Sequence, residues 1–203
     1  MEEKQPEDKI IYRLMCLQTV LQQDVLDESR DEFSSEKVKA FVKCVRRFAR
    51  VHTQAFMLLC ADNNYTAAFH FFRLITDCTL RVYAATLFKG ERLEHYIDKF
   101  FEGKEPDKIK YKGKFLYTSY IKELMLQEVA QERQEIAQKA EDIDRHWLEI
   151  CLDFKDMGNQ STHFTSFYAD DLEEWLNDKA KMYMIGTYTQ LLVFMVSLLS
   201  RLK

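Results

Sequence analysis

The segment from Asn64 to Gly90, NYTAAFHFFRLITDCTLRVYAATLFKG, constrains the fold more than any other part of the chain. Neither proline nor a further glycine interrupts it before Gly90. At about 100° per residue, its apolar side chains cover well over half of a helical circumference. A helix of this kind lies inside a bundle. Asn64 is suited to cap its N-terminus, and Gly90 is suited to end it in a left-handed conformation.

One polar stripe interrupts the apolar surface of this helix. His70, Arg73, Asp77 and Arg81 follow each other at steps of three, four and four, so they share roughly one fifth of the circumference. The stripe is either a ladder of ion pairs along a solvent-exposed edge or the floor of a polar cleft. If the stripe is structural, replacing Asp77 by Ala is predicted to cost ~3–5 kcal/mol, because it would strand arginine charge.

The scarcity of turn-forming residues extends this reading to the whole chain. Only 5 glycines and 2 prolines occur among 203 residues, so the elements must be long and the turns few. We therefore predict an all-α bundle of six or seven helices, with no sheet larger than two short strands. The chain is predicted to form one domain over 1–203, with the N-terminal helix of 1–34 peripheral.

Helical periodicity predicts the other elements as well. The predicted helices are 7–28, a second running from a cap at Ser34 or Ser35 to 62, then 91–101, 116–156 with a break near Gln127 left open, 170–177 and 179–202. The segments 104–114 and 157–168 are predicted loops. The lysine-rich 104–114 is either a mobile solvated loop or a loop that contacts phosphate. The second helix carries a basic strip, which is a solvated face or, alternatively, a nucleic-acid surface: Lys37, Lys39, Lys43, Arg46, Arg47, Arg50.

A seven-residue repeat runs along the 116–156 helix. Val129, Ile136, Ile143 and Ile150 recur at this interval, and the opposite face is densely charged. The pattern allows a coiled-coil contact, although the stripe is short. The predicted partner is therefore a second copy of the chain or a helical partner protein.

The last segment, Met182 to Ser200, contains 19 residues without a charge. This length would admit a membrane span, but Gln190 would then lie near the middle of the bilayer. We predict instead a buried core helix that packs against the 66–88 helix, and no membrane contact. The polar N-terminus MEEKQPEDK is neither a signal nor a transit peptide, so the predicted location is the cytoplasm.

The cysteines and histidines show no metal-binding spacing. The 5 cysteines never form CxxC, and each lies in an apolar helical run, so we interpret them as reduced, buried side chains: Cys16, Cys44, Cys60, Cys78, Cys151. No histidine has a glutamate three residues before it, as a di-iron bundle requires, and HExxH is absent. P-loop, GxGxxG and GxSxG motifs are also absent. The sequence therefore predicts neither a metal nor a cofactor.

One histidine lies in a predicted loop and is a candidate for chemistry. His163 follows the polar run Asn159, Gln160, Ser161 and Thr162. An accessible, titratable histidine can act as an acid or a base, whereas the alternative is an ordinary loop in which His163 bonds to the backbone. We predict that the 158–166 loop folds back over the polar stripe. Asn159 and Ser161 would then join His70, Arg73, Asp77 and Arg81 in a ligand site.

Two of these segments resemble a group of all-helical bacterial proteins that is itself similar to the HEPN superfamily. The group has an R-x-L-x-E helix, here Arg73-Leu74-Ile75-Thr76-Asp77, and an S-x-x-H-type loop, here Ser161-Thr162-His163. The resemblance implies a HEPN-like bundle, commonly dimeric. Many HEPN proteins are metal-independent ribonucleases of toxin or phage-defence systems. In that reading His163 would be the acid or base, and Arg73 or Arg81 would stabilise a phosphate.

Two functions therefore stay open. The first is a non-catalytic helical module that binds a ligand or a partner protein, which agrees with the lack of catalytic motifs. The second is a HEPN-like metal-independent ribonuclease, with RNA as its substrate. A net charge of −4 gives no general attraction to nucleic acid, so the first hypothesis is favoured.

Overall fold

Six helices and one short hairpin make up the part of the chain that the computed structural model describes, which is residues 6–22, 33, 35–103, 108–137 and 177–202. The helices are α1 (Pro6–Val20), α2 (Glu36–Ala61), α3 (Tyr65–Thr86), α4 (Glu91–Phe101), α5 (Thr118–Ala137) and α6 (Asp178–Ser200). The strands are β1 (Lys110–Tyr111) and β2 (Lys114–Phe115). The predicted all-α helical bundle is confirmed, with one two-stranded sheet in this part of the chain.

Helix α3 is the centre of the bundle, as the sequence predicts. It packs against α2, α4, α5 and α6, and most of its apolar side chains are buried. Asn64 caps it, because the side-chain oxygen accepts a hydrogen bond from the amide of Ala67 at 3.2 Å. The prediction that Gly90 ends this helix is wrong. The helix already ends at Thr86, and Gly90 (φ +54°) instead caps the start of α4 in a conformation that favours glycine.

Helix α6 packs on α3 with one face and on α1 with another. The ring of Tyr188 stacks on Phe56 of α2 with a centroid distance of 3.9 Å and meets the edge of Phe72 of α3 at 5.5 Å. Its hydroxyl shares a hydrogen bond with the buried hydroxyl of Thr53 at 3.1 Å. One buried residue therefore joins three helices. The predicted contact between the last helix and the α3 helix is confirmed.

Helix α6 also has the length and composition of a membrane span, and it is the one helix of this kind in the described ranges. Half of its most apolar window is buried inside the protein. Core helices of bundles commonly have this character, and α6 contributes many buried side chains to the core: Met184, Ile185, Tyr188, Leu191, Leu192, Met195, Leu198, Leu199. The cytoplasmic location stays a prediction.

An acidic side chain fastens α5 to its neighbours. The Tyr83 hydroxyl of α3 donates to Glu128 Oε2 at 2.8 Å, and Arg201, just after α6, donates to Glu128 Oε1 at 2.5 Å. Helix α5 runs without interruption from Thr118 to Ala137, so a break near Gln127 does not occur. The predicted 170–177 helix and the 157–168 loop lie outside the described residues.

Helix α2 begins after Ser35, whose side chain accepts a hydrogen bond from the amide of Val38 at 3.4 Å. Its predicted basic strip needs one correction, because Arg46 is only 8% exposed. Helix α2 packs against both α3 and α4, so its buried face is wider than the apolar stripe alone indicates. The strip on the solvent side consists of the other basic residues.

The cysteines are only partly as predicted. Cys60 and Cys78 are buried, but Cys44 is exposed and Cys16 is half-buried. All four are free thiols, and Cys151 lies outside the described residues. Cys44 and Cys16 lie on the flanks of their helices, where an apolar run in the sequence does not guarantee burial.

The predicted 104–114 loop contains the hairpin β1–β2, which the sequence reading missed. Lys110 pairs with Phe115 and Tyr111 with Lys114. The turn residues Lys112 (φ +47°) and Gly113 (φ +81°) are both left-handed, as a two-residue hairpin turn requires. Lysine and glycine in sequence suggested a loop, whereas the flanking Ile, Tyr and Phe side chains stabilise two strands.

The burial of α6 gives a stability prediction. Leu192 is fully buried, so Leu192→Ala is expected to lower the free energy of unfolding by ~2–5 kcal/mol, measured by urea denaturation. Its neighbour Val193 is 45% exposed, and Val193→Ala is the control, with an expected loss of about 0.5 kcal/mol or less. Equal losses in the two variants would contradict this placement of α6.

Candidate functional site

The polar stripe of α3 contains one ion pair of the predicted kind. Arg73 Nε lies 3.7 Å from Asp77 Oδ2, with the two side chains 25% and 33% exposed. Arg81, one turn further along, is exposed, and its backbone carbonyl accepts a hydrogen bond from the Tyr96 hydroxyl at 2.9 Å. The stripe is therefore a half-buried edge of the bundle. Arg73 and Asp77 are too exposed to form a fully buried charge cluster.

A second histidine, which the sequence reading missed, faces the start of the stripe. The ring centroid of His52 in α2 lies 4.0 Å from that of Phe48 and 5.7 Å from that of Phe71. The Phe71 ring in turn lies 5.5 Å from the ring of His70. His52 Nδ1 is buried and makes no hydrogen bond within the ranges that the structure describes. Burial, and secondly the charge of nearby His70, lowers the pKa of His52 below its ordinary value of 6.5.

Asn159, Ser161 and His163 lie outside the described residues, so the fold-back of the 158–166 loop stays a prediction. Among the residues that are described, no group of three or more His, Cys, Asp or Glu side chains is placed to hold a metal ion.

A larger candidate site lies elsewhere, along the contact between α1 and α6. We call it the α1–α6 groove. It is an open cavity of about 710 Å³. One stripe of each helix lines it: Lys9, Tyr12, Arg13, Cys16 of α1, and Met182, Gly186, Thr189, Gln190, Val193, Phe194 of α6. Both sets repeat at intervals of three and four residues, so each is a single helix face.

The charged side chains of the described residues that line the groove are all positive. Its only charged lining residues within the described ranges are the cations Lys9 and Arg13, both on α1. Thr189 donates its hydroxyl to the carbonyl of Ile185 in its own helix at 2.8 Å, so the uncharged groups left to bind a ligand are the Gln190 amide and the Tyr12 hydroxyl. The groove can therefore attract a negative group without repelling it at any described lining residue.

Exposed apolar side chains accompany these cations. Tyr12 is 65% exposed and Val193 is 45% exposed. Gly186 allows Arg13 to lie close to the floor of the groove, because a Cβ atom at position 186 would lie 2.5 Å from Arg13 Nη1. The missing side chain at Gly186 thus leaves room for the guanidinium at this point. The groove combines an apolar floor with a positive edge.

Two features of the sequence indicate this groove. Lys9, Tyr12, Arg13 and Cys16 follow each other at helical spacing and share one face of α1. Gly186 is also a rare glycine inside a long helix, and such a glycine often marks a close approach. What could not be read from the sequence is that these two faces meet.

Comparisons with protein-family models, with curated proteins and with solved structures found no match. The HEPN-like resemblance therefore stays a hypothesis. Function has to be argued from the geometry and chemistry of the site alone.

The α3 ion pair gives a second prediction. Because Arg73 and Asp77 are partly exposed and 3.7 Å apart, Asp77→Ala is expected to cost only about 1 kcal/mol of unfolding free energy, less than the ~3–5 kcal/mol of a buried pair. Asp77→Asn keeps the shape and is expected to cost a similar amount if the loss is one of charge. A loss above about 3 kcal/mol in both variants would show that Asp77 supports a buried network.

The lowered pKa of His52 gives a third prediction. The unfolded chain binds a proton at His52 near the ordinary pKa of 6.5, and the folded chain binds it only at lower pH, so acid favours unfolding. This contribution to stability is present above about pH 6.5 and is lost as the pH falls through the folded pKa. The thermal midpoint of the wild type should therefore fall more between about pH 7.5 and 5 than that of His52→Gln.

His95→Gln, at an exposed position of α4, is the matched control for this experiment. It should retain the pH dependence of the wild type. An unchanged pH dependence in His52→Gln would show that His52 does not titrate differently on folding.

Proposed function

We propose that this chain is a non-catalytic helical binding module, and that it takes an acidic amphipathic helix of a partner protein into the α1–α6 groove. The single observation that supports the proposal is the groove itself, which two facing helix stripes line and in which both charged lining residues of the described ranges are cations.

The shape of the groove favours a helix as the occupant. Two packed helices leave a furrow between them, and a third helix fills such a furrow with side chains spaced at three and four residues. The lining of α6 extends from Met182 to Phe194, which is roughly 18 Å at 1.5 Å per residue. This length corresponds to about three turns of a bound helix.

The chemistry of the groove favours an occupant with acidic and apolar residues. Tyr12 and Val193 would gain burial from apolar side chains of a partner, while Lys9 and Arg13 would pair with its carboxylates. The gain from the charges would lie mainly in selectivity and association rate. A basic helix would meet repulsion from both cations.

The two other hypotheses have less support from the described residues. A second copy of the chain would have to place an acidic helix in the groove, and its occupancy is an outcome of the test below. A ribonuclease would require His163 to meet Arg73 or Arg81, and His163 is outside the described ranges.

Fluorescence anisotropy with two synthetic peptides tests the proposal. Both are amphipathic helices of about twelve residues with leucines on one face, and they carry either glutamates or lysines beside the leucines. The wild type should bind the acidic peptide and not the basic one. The double variant Lys9→Glu, Arg13→Glu should lose at least about tenfold in affinity for the acidic peptide and gain affinity for the basic one.

Val193→Asp should also weaken binding of the acidic peptide, because it places a carboxylate on the apolar floor. Leu58→Asp is the matched control, since Leu58 is an apolar side chain of α2 that is 72% exposed outside the groove. Equal weakening by the two aspartates, or no binding by the wild type, would contradict the proposal. A concentration-dependent dimer that Val193→Asp dissociates in sedimentation would instead identify a second copy as the occupant.

A further inference from the structure

The hairpin of residues 108–117, which we call the lysine–aromatic hairpin, combines lysines with aromatic residues. Its sequence, KIKYKGKFLY, places lysines at 108, 110, 112 and 114 and aromatic residues at 111, 115 and 117, with no acidic residue among them. All of its lysines are exposed. It is a strongly positive segment on a chain whose net charge is −4.

The hairpin is held rigidly against the bundle. Leu116 is fully buried, and its amide donates to the carbonyl of Ile109 at 3.0 Å. The Tyr111 ring meets the edge of Phe88 at 5.9 Å, and Arg92 of α4 donates to the carbonyl of Lys110 at 3.4 Å. The exposed side chains therefore project from a fixed base, so little ordering is needed when a ligand binds.

Two lysines of the hairpin lie against aromatic rings, one on the hairpin itself and one in α5. Lys110 Nζ lies 4.7 Å from the centroid of Phe115, and Lys114 Nζ lies 5.1 Å from that of Tyr120. Phe115 and Tyr117 are 40% and 55% exposed, and their centroids are 5.9 Å apart. These two neighbouring rings form a small exposed aromatic patch that is accessible to a ligand.

We propose that the lysine–aromatic hairpin binds single-stranded nucleic acid. Exposed rings accept stacked bases irrespective of sequence, and neighbouring lysines neutralise the phosphates that connect those bases. Phe115 and Tyr117 are the stacking residues, and the lysines at 110, 112 and 114 contact the backbone. This surface is built from other elements than the α1–α6 groove, so either proposal can fail without the other.

The geometry favours nucleic acid over the two other anionic partners. A hairpin that enters a membrane surface carries apolar residues at its tip, but here the tip is Lys112–Gly113, and Phe115 and Tyr117 come only after the turn. An acidic peptide without apolar side chains would pair with the lysines but would leave the two neighbouring rings uncovered. Base stacking uses both features together.

Fluorescence anisotropy with a 5′-labelled oligouridine, at about 50 mM and 200 mM salt, tests this proposal. The full-length wild type should bind, with an affinity that falls as the salt concentration rises. The double variant Phe115→Ala, Tyr117→Ala should weaken binding by roughly fivefold or more for each base that loses its ring. The double variant Lys110→Gln, Lys114→Gln should reduce the salt slope by about 1.4, since a single strand loses about 0.7 per phosphate contact.

The variant Lys39→Gln, Lys43→Gln removes the same charge from the basic strip of α2 and is the matched control. It should leave the affinity for oligouridine nearly unchanged. If it weakens binding as much as the hairpin lysine variant does, or if the ring variant binds like the wild type, the proposal is wrong. Binding to phosphatidylserine vesicles without binding to oligouridine would identify a membrane surface instead and would equally overturn it.

Discussion

The packing of Tyr188 is the interaction on which the arrangement of the helices most depends. Its ring stacks on Phe56 at 3.9 Å and meets Phe72, while its hydroxyl and that of Thr53 satisfy each other inside the core. Each contact alone is modest, but together they join α2, α3 and α6 at one buried point. The hydrogen bond also fixes the rotation of α6, because a buried hydroxyl without a partner would be costly. That rotation determines which face of α6 is left over for α1.

The part of the α6 surface that no other described helix covers explains why the groove exists. Helix α6 is apolar around most of its circumference, but α3 and α1 together do not cover all of it. Leu17, near the C-terminal end of α1, and Leu21, just after it, are buried in the core. Tyr12, nearer the start of α1, and Val193 of α6 stay exposed. The same apolar composition that makes α6 similar to a membrane-spanning helix thus leaves an apolar furrow at the surface. Arg13 rests over Gly186 in that furrow and gives it a positive edge.

Much of the fold could be predicted from the sequence, because periodicity and capping are local. Ser35 and Asn64 act as caps where the sequence places them, and α4 has its predicted bounds. The failures involve information that is not local. Arg46 is buried because α2 has two neighbours, and the hairpin depends on the anchoring of Tyr111 by Phe88. The Arg73–Asp77 pair followed from helix spacing, but the groove required knowing that α1 and α6 are adjacent, which no pattern within either helix states.

The central claim is that the exposed side of the α1–α6 contact is a docking site for an acidic helix. Amide chemical-shift mapping tests it most directly, with isotope-labelled full-length protein titrated with the acidic amphipathic peptide. We expect the largest shifts in α1 and α6 along the groove, around Arg13, Gly186 and Val193, and little change in α2 and the lysine–aromatic hairpin. Shifts concentrated on the α3 stripe around Arg73, or on the hairpin, would contradict it.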